Sequence, residues 1–313
     1  MTANQNALNM RKPLSTPPWL SGLCAALVCL MPAASAAEST PPWHADLAEI
    51  RQTAGMIPGP RPLRVNVIKF AESRRTKNFA VKGLPAEPSV QARTAYQIVY
   101  ADGTIMVDTG MDLATHRFFG RGVEEPYFRE AEARVAQALE KAKAIIVTHE
   151  HGDHIGGLVR SEHFSELAPK TVLTRAQLDT LINEPQMPEL RPTPEMASRL
   201  RVIDYTGTFA FAPGIVLIKA PGHTPGSQMV YVALRSGKEL LLAGDVAWHM
   251  DGVRLNRTKD APWIKEPVEL MAAELDWLNG LSRTENNLAI VISHDDEQRR
   301  AYIEQGVLGD GFE

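Results

Sequence analysis

At 313 residues and 44% hydrophobic content, the chain is long enough to bury one large core. Its 33 basic and 37 acidic residues give a formal charge of −4, with no basic stripe or aromatic-interleaved Lys/Arg run, which argues against nucleic acid as the partner. Both cysteines, Cys24 and Cys29, fall near the N-terminus, so beyond them no thiolate is available to a metal or a disulfide.

Residues 1–36 read as a secretory leader. Arg11 and Lys12 precede an apolar stretch from Trp19 to Met31, and Ala34-Ser35-Ala36 offers small residues for cleavage after Ala36. The stretch is shorter than the roughly 20 residues of a membrane span. A periplasmic or secreted location without stable membrane association is therefore expected. The 33 basic residues, less Arg11 and Lys12, leave 31 against 37 acidic in the mature chain, a charge of −6.

Residues 37–62 are Pro-rich and form an extended lead-in with a short helix near 45–54, and residues 63–313 form one domain. Strands are predicted at 64–70, 94–100 and 104–107, the last two joined by the hairpin turn Ala101-Asp102-Gly103. The polar, Pro/Gly-punctuated stretch 74–89 reads as a long loop. A helix fits 126–141, and the apolar run Ala144–Val147 reads as a buried strand. Helices follow at 175–182 and 194–200, linked by a Pro-rich connector placed to overhang a site. Strands resume at 202–205, 208–211, 215–219, 229–234 and 239–243, then a helix over 267–281 and a strand at 288–293. Strand-rich halves each followed by helices imply two packed sheets with helices outside.

One motif dominates. Thr148-His149-Glu150-His151-Gly152-Asp153-His154 places four metal-capable side chains within six residues, directly after an apolar strand. Three imidazoles and a carboxylate are costly to bury and suit a borderline-soft divalent ion. Three later strand ends carry further candidates. His223 stands in Ala220-Pro221-Gly222-His223-Thr224-Pro225-Gly226, Asp245 ends Leu240–Gly244, and His294 ends Val291–Ser293. A single strand-end histidine or aspartate is usually a loop or capping residue. Four apolar strands ending on such residues point instead to a metal site.

The set His149-x-His151-x-Asp153-His154, His223, Asp245 and His294 resembles that of the metallo-β-lactamase superfamily, over roughly residues 64–295. Asp108-Thr109-Gly110 also resembles a recurrent turn of that family. The resemblance implies an α/β fold, a four-layer αβ/βα sandwich of two mixed β-sheets with helices on the outer faces. It implies two divalent ions, zinc by default, held by His149, His151 and His223 on one side and Asp153, His154 and His294 on the other, with Asp245 bridging. A hydroxide shared by the two ions would attack an acyl or phosphoryl centre. Asp153 and Asp245 are then the catalytic carboxylates, Asp153 orienting that hydroxide or carrying a proton to the leaving group.

The substrate is expected to be a small molecule. Asp245 separates the chain from drug-resisting β-lactamases, though β-lactamase activity stays an alternative. Export disfavours glyoxalase II and the tRNA nucleases and leaves lactonases and methyl-parathion-type esterases as the secreted relatives it resembles. Hydrolysis of a small ester, lactone or related bond is the leading expectation. The other alternative is a persulfide dioxygenase-like enzyme with one iron, in which His154 and His294 would be idle. Among other residues, His249 is a candidate substrate contact at the rim. His44, His116 and His163 read as surface or capping residues, and Asp295 as a candidate partner for a ligand imidazole.

Overall fold

The computed structural model describes residues 43–313. The leader expected over 1–36, both cysteines and the start of the lead-in lie outside the described residues. In chain order the strands are β1 (Arg64–Thr76), β2 (Pro88–Tyr100), β3 (Gly103–Val107), β4 (Ala144–Ile146), β5 (Thr171–Thr174) and β6 (Arg201–Ile203). There follow β7 (Thr208–Ala212), β8 (Ile215–Lys219), β9 (Gln228–Ala233), β10 (Glu239–Leu242), β11 (Leu288–Val291) and β12 (Gly309–Asp310). Seven of them form a sheet in the order β12-β1-β2-β3-β4-β5-β6, and five form a second in the order β11-β10-β9-β8-β7. Both sheets are mixed. In the first, β1, β2 and β3 pair antiparallel while β3, β4, β5 and β6 pair parallel. In the second, β10 pairs parallel with β11 and antiparallel with β9.

The two-residue period of a strand sorts the apolar side chains into layers. Ile105 and Val107 of β3 join Leu240 and Leu242 of β10 in a core between the sheets. Met106, on the opposite face of β3, packs with Leu139 and Leu158 of the helices Arg129–Lys141 and Gly152–Val159. Leu241, on the opposite face of β10, packs with Ile50 and Leu275 of the helices Leu47–Thr53 and Val268–Thr284. The result is the helix–sheet–sheet–helix sandwich. Each such leucine or isoleucine contributes about 1.5–3 kcal/mol by leaving water.

Several expectations need correction. The short helix expected near 45–54 is present as Leu47–Thr53, capped by Asp46, but it also packs, with Ile50 buried in the outer core of the second sheet. β1 continues to Thr76 through a register shift between Lys69 and Ala71, so much of the expected 74–89 loop is strand or the short helix Lys77–Ala80. The helix Gly152–Val159 was masked by Gly156 and Gly157, which lower helix propensity. Their role is close approach: a Cβ on Gly157 would lie 2.0 Å from the Thr109 carbonyl oxygen. Among the described residues, no helix is long and apolar enough to cross a membrane.

Candidate metal centre

β3 and β4 run parallel, as do β10 and β11, and β8 shares the direction of β10 through two antiparallel pairings. Their C-terminal ends therefore open at one edge of each sheet, and the candidate residues leave from those ends. β4 stops at Ile146, so His149 and His151 lie beyond the strand. They sit on a short loop, with His151 at the residue before the helix Gly152–Val159 and Asp153 and His154 in its first turn.

Neighbouring groups pin that loop. Glu150 accepts from Thr224 Oγ1 at 2.9 Å and from Gly226 N at 3.3 Å, which locks the loop to the one bearing His223. Gln177 Nε2 donates to the carbonyls of both Val147 and Gly226. The Pro-rich connector does reach the site, since Gln186 Oε1 accepts from Gly152 N at 2.9 Å.

All seven residues predicted from the sequence come together. His149, His151 and His223 form one group with ligand atoms within 4.8 Å, and Asp153, His154 and His294 form another. Asp245 lies between them. Its Oδ2 is 3.5 Å from His223 Nε2 and 3.0 Å from His294 Nε2, while its Oδ1 is 3.4 Å from His154 Nε2. A third group, His149, His154 and Asp245, overlaps the other two.

The donor set fits divalent metal. His151 Nδ1 stands 3.2 Å from His149 Nε2 and 3.0 Å from His223 Nε2, so three ring nitrogens crowd one point. Burial pulls His149 and His223 well below the usual histidine range and His151 down to about 4, so these rings are neutral and offer lone pairs. His154 Nε2 and Asp245 Oδ1 are buried without a hydrogen-bond partner. Orphaned polar atoms of this kind are costly unless something coordinates them. Burial also opposes charge on His154, yet Asp153, Asp108 and Asp245 lift it to about 9. The carboxylates thus call for positive charge at their centre.

The outer ring nitrogens are equally fixed. His154 Nδ1 donates to Asp108 Oδ2 at 2.8 Å, and His294 Nδ1 donates to the Ala92 carbonyl at 2.6 Å. Each bond fixes the ring so that Nε2 faces inward. Asp108 adopts φ 65, a strained value for a non-glycine residue, and also accepts from Thr148 N and Oγ1.

Arg93, Trp248, Lys259 and Glu266 escaped the sequence reading. Arg93 Nη1 donates to Asp153 Oδ2 at 2.8 Å, and Trp248 Nε1 donates to Asp245 Oδ2 at 2.8 Å. Burial alone would raise Asp153, but Arg93, His154 and His294 hold it far below the usual carboxylate range. No fixed spacing links these residues to the motif, so no sequence signal marked them.

The centre forms the floor of a cavity of ≈750 Å³. Phe79, Phe118, Phe119 and Trp263 line its walls, with Arg93, Asp153 and His223 below. His249, expected as a substrate contact, does not line it. Its Nδ1 instead accepts from Asp251 N at 3.1 Å and caps the helix Met250–Leu255. Asp295 does not partner an imidazole of the centre, because its Oδ2 accepts from Met250 N and its Oδ1 from Gln298 N. His116 is buried rather than at the surface, with Nε2 3.2 Å from the Glu125 carbonyl.

The chain is similar to several known proteins. An N-acyl homoserine lactonase of Bacillus sp is 24% identical over 218 residues, covering 66% of this chain and 82% of the relative. The N-acyl homoserine lactonase AiiA of Bacillus thuringiensis subsp. kurstaki is 25% identical over 221 residues, with the same coverage of 66% and 82%. The crystal structure of an N-acyl homoserine lactone hydrolase with the product N-hexanoyl-L-homoserine at its catalytic metal center matches with TM-score 0.61 and 22% identity, over 77% of this chain and 96% of that one. The dizinc quorum-quenching lactonase AidC matches with TM-score 0.55 and 14% identity, over 76% and 91%. A model of the metallo-beta-lactamase superfamily matches residues 89–294, a span that includes all seven candidate residues, and the chain belongs to that superfamily.

Proposed function

We propose that this metal-dependent hydrolase opens a lactone or cleaves a small ester that carries an apolar substituent. The observation that carries the reading is the meeting of seven imidazole and carboxylate side chains around two buried atoms, His154 Nε2 and Asp245 Oδ1, that lack a hydrogen-bond partner. His149, His151 and His223 would hold one divalent ion and Asp153, His154 and His294 a second, with Asp245 shared between them. Zinc suits this nitrogen and oxygen donor set. Bound there, such ions supply an activated water nucleophile and a Lewis acid for the substrate oxygen.

The chain's own groups do the rest. Phe79, Phe118, Phe119 and Trp263 receive the apolar substituent and exclude water from the reacting carbonyl. Arg93 fixes Asp153 through Oδ2, which leaves Oδ1 as a hydrogen-bond acceptor that can orient the attacking water. Trp248 steadies Asp245 from the cavity side. The lactonase names of the relatives support this substrate class.

The test is a screen of the metal-replete protein against N-acyl homoserine lactones, aryl esters, phosphotriesters, thioesters and β-lactams, before and after chelation. Turnover should fall chiefly on lactones or esters, vanish on chelation and return with zinc. Undiminished turnover by the stripped protein, or turnover of β-lactams alone, would contradict the reading. From the leader read in residues 1–36, we further propose that the reaction takes place outside the cytoplasm. N-terminal sequencing of the protein recovered from a host periplasm should begin at Ala37, and an intact N-terminus on protein confined to the cytoplasm would refute export.

A further inference from the structure

Three histidines of the centre share a pattern. His154 and His294 each give the Nδ1 hydrogen to a fixed oxygen, and each turns Nε2 inward. For His223 the corresponding oxygen belongs to Glu266, whose Oε1 lies 2.5 Å from Nδ1. Glu266 comes from a separate strap of chain, 43 residues away in sequence, and its side chain is 8% exposed. Lys259, fully buried on the same strap, donates to Glu266 Oε1 at 2.7 Å and to the main-chain carbonyl of Asp245. Its ammonium also lies 5.2 Å over the Trp248 ring.

We propose that Glu266 and Lys259 form a positioning pair for the three-histidine half of the centre. Glu266 accepts the Nδ1 hydrogen of His223 and so aims the Nε2 lone pair at the point shared with His149 and His151. Lys259 supplies the counter-charge that a buried carboxylate needs. It also ties that carboxylate to the backbone of Asp245. The competing arrangement, with Lys259 donating to His223 Nδ1, is the poorer one. That approach is 3.3 Å against 2.5 Å for Glu266, and it would turn an Nε2 hydrogen toward His151.

The strap is anchored for this task. Asp260 N donates to the Phe79 carbonyl at 3.0 Å, and Lys82 N donates to the Thr258 carbonyl at 2.8 Å. Ala261 packs with Ala80, Val81 and Trp248. The pair acts through His223 and does not touch the reacting atoms. It rests on the metal centre of the preceding reading and is independent of which ester or lactone is cleaved.

The test is zinc titration of the metal-free full chain against a chromophoric chelator, for wild type, Glu266→Ala, Glu266→Gln and Lys259→Met. The thermal midpoint of each metal-free protein is recorded beside it. Glu266→Ala should bind one ion as wild type does and the other about 10–100-fold more weakly, with an unchanged metal-free midpoint. Glu266→Gln, which keeps an acceptor for Nδ1, should lose less, and Lys259→Met should weaken the same single ion. Because Lys259→Met leaves Glu266 buried without its partner, the Glu266 variants decide the matter if it fails to fold. Wild-type affinity for both ions in Glu266→Ala would overturn the proposal. Equal weakening of both ions with a lowered metal-free midpoint would overturn it too, as a merely structural role. A wild type that binds no zinc would overturn the metal centre itself, a separate result.

Discussion

Glu274 sits directly behind the His223 loop. Its Oε1 accepts from Gly222 N at 2.8 Å, while Oε2 is buried with no partner. Burial raises this carboxyl to about 8, and the Gly222 bond and Lys259 offset only part of the effect. A raised carboxyl stabilises the fold most when protonated in both states. Its contribution is therefore full below the unfolded value near 4.5 and is lost as pH climbs toward 8. Glu274→Gln keeps the acceptor for Gly222 and removes the charge. Denaturant unfolding of the metal-free proteins at pH 5 and pH 8 should show wild type losing a few kcal/mol more than the variant, to order of magnitude. Equal losses would contradict the assignment. At this scale the sequence was most legible where residues cluster: His149, His151, Asp153 and His154 lie within six positions, and all four reach the centre. It was silent on Glu266 and Arg93, whose roles arise only when the strap and β2 fold against the site.

Elements built on strong apolar alternation were readable, and β8 falls on its expected bounds at Ile215–Lys219. The failures share a cause: local sequence and tertiary demand disagree. Gly156 and Gly157 argue against a helix, yet the helix Gly152–Val159 needs them to lie on the Thr109–Gly110 turn. The 74–89 stretch carries Pro and Gly like a loop, while pairing with β2 holds β1 extended to Thr76. β5, four buried residues at Thr171–Thr174, is too short to show a period and is held by β4 and β6 on either side. His249 was misread for a similar reason, since a loop histidine and a helix-capping histidine look alike until the helix Met250–Leu255 is in place.

Across the whole molecule, the sandwich serves to bring strand ends from two sheets to one edge. β4 delivers the loop of His149 and His151, and β8, β10 and β11 deliver His223, Asp245 and His294. The core between the sheets, with Val107 and Ile146 facing Leu217, Leu242 and Val291, holds those ends in register. A hydrolytic centre follows from that convergence, whatever substrate the aromatic cavity admits. Anomalous diffraction at the zinc edge, from crystals of the metal-replete protein, tests this most directly. Two peaks are expected, each about 2.0–2.2 Å from its ligands. One should be bounded by His149, His151 and His223, the other by Asp153, His154 and His294, with Asp245 reaching both. No peak at this edge, or peaks bound by other residues, would contradict it.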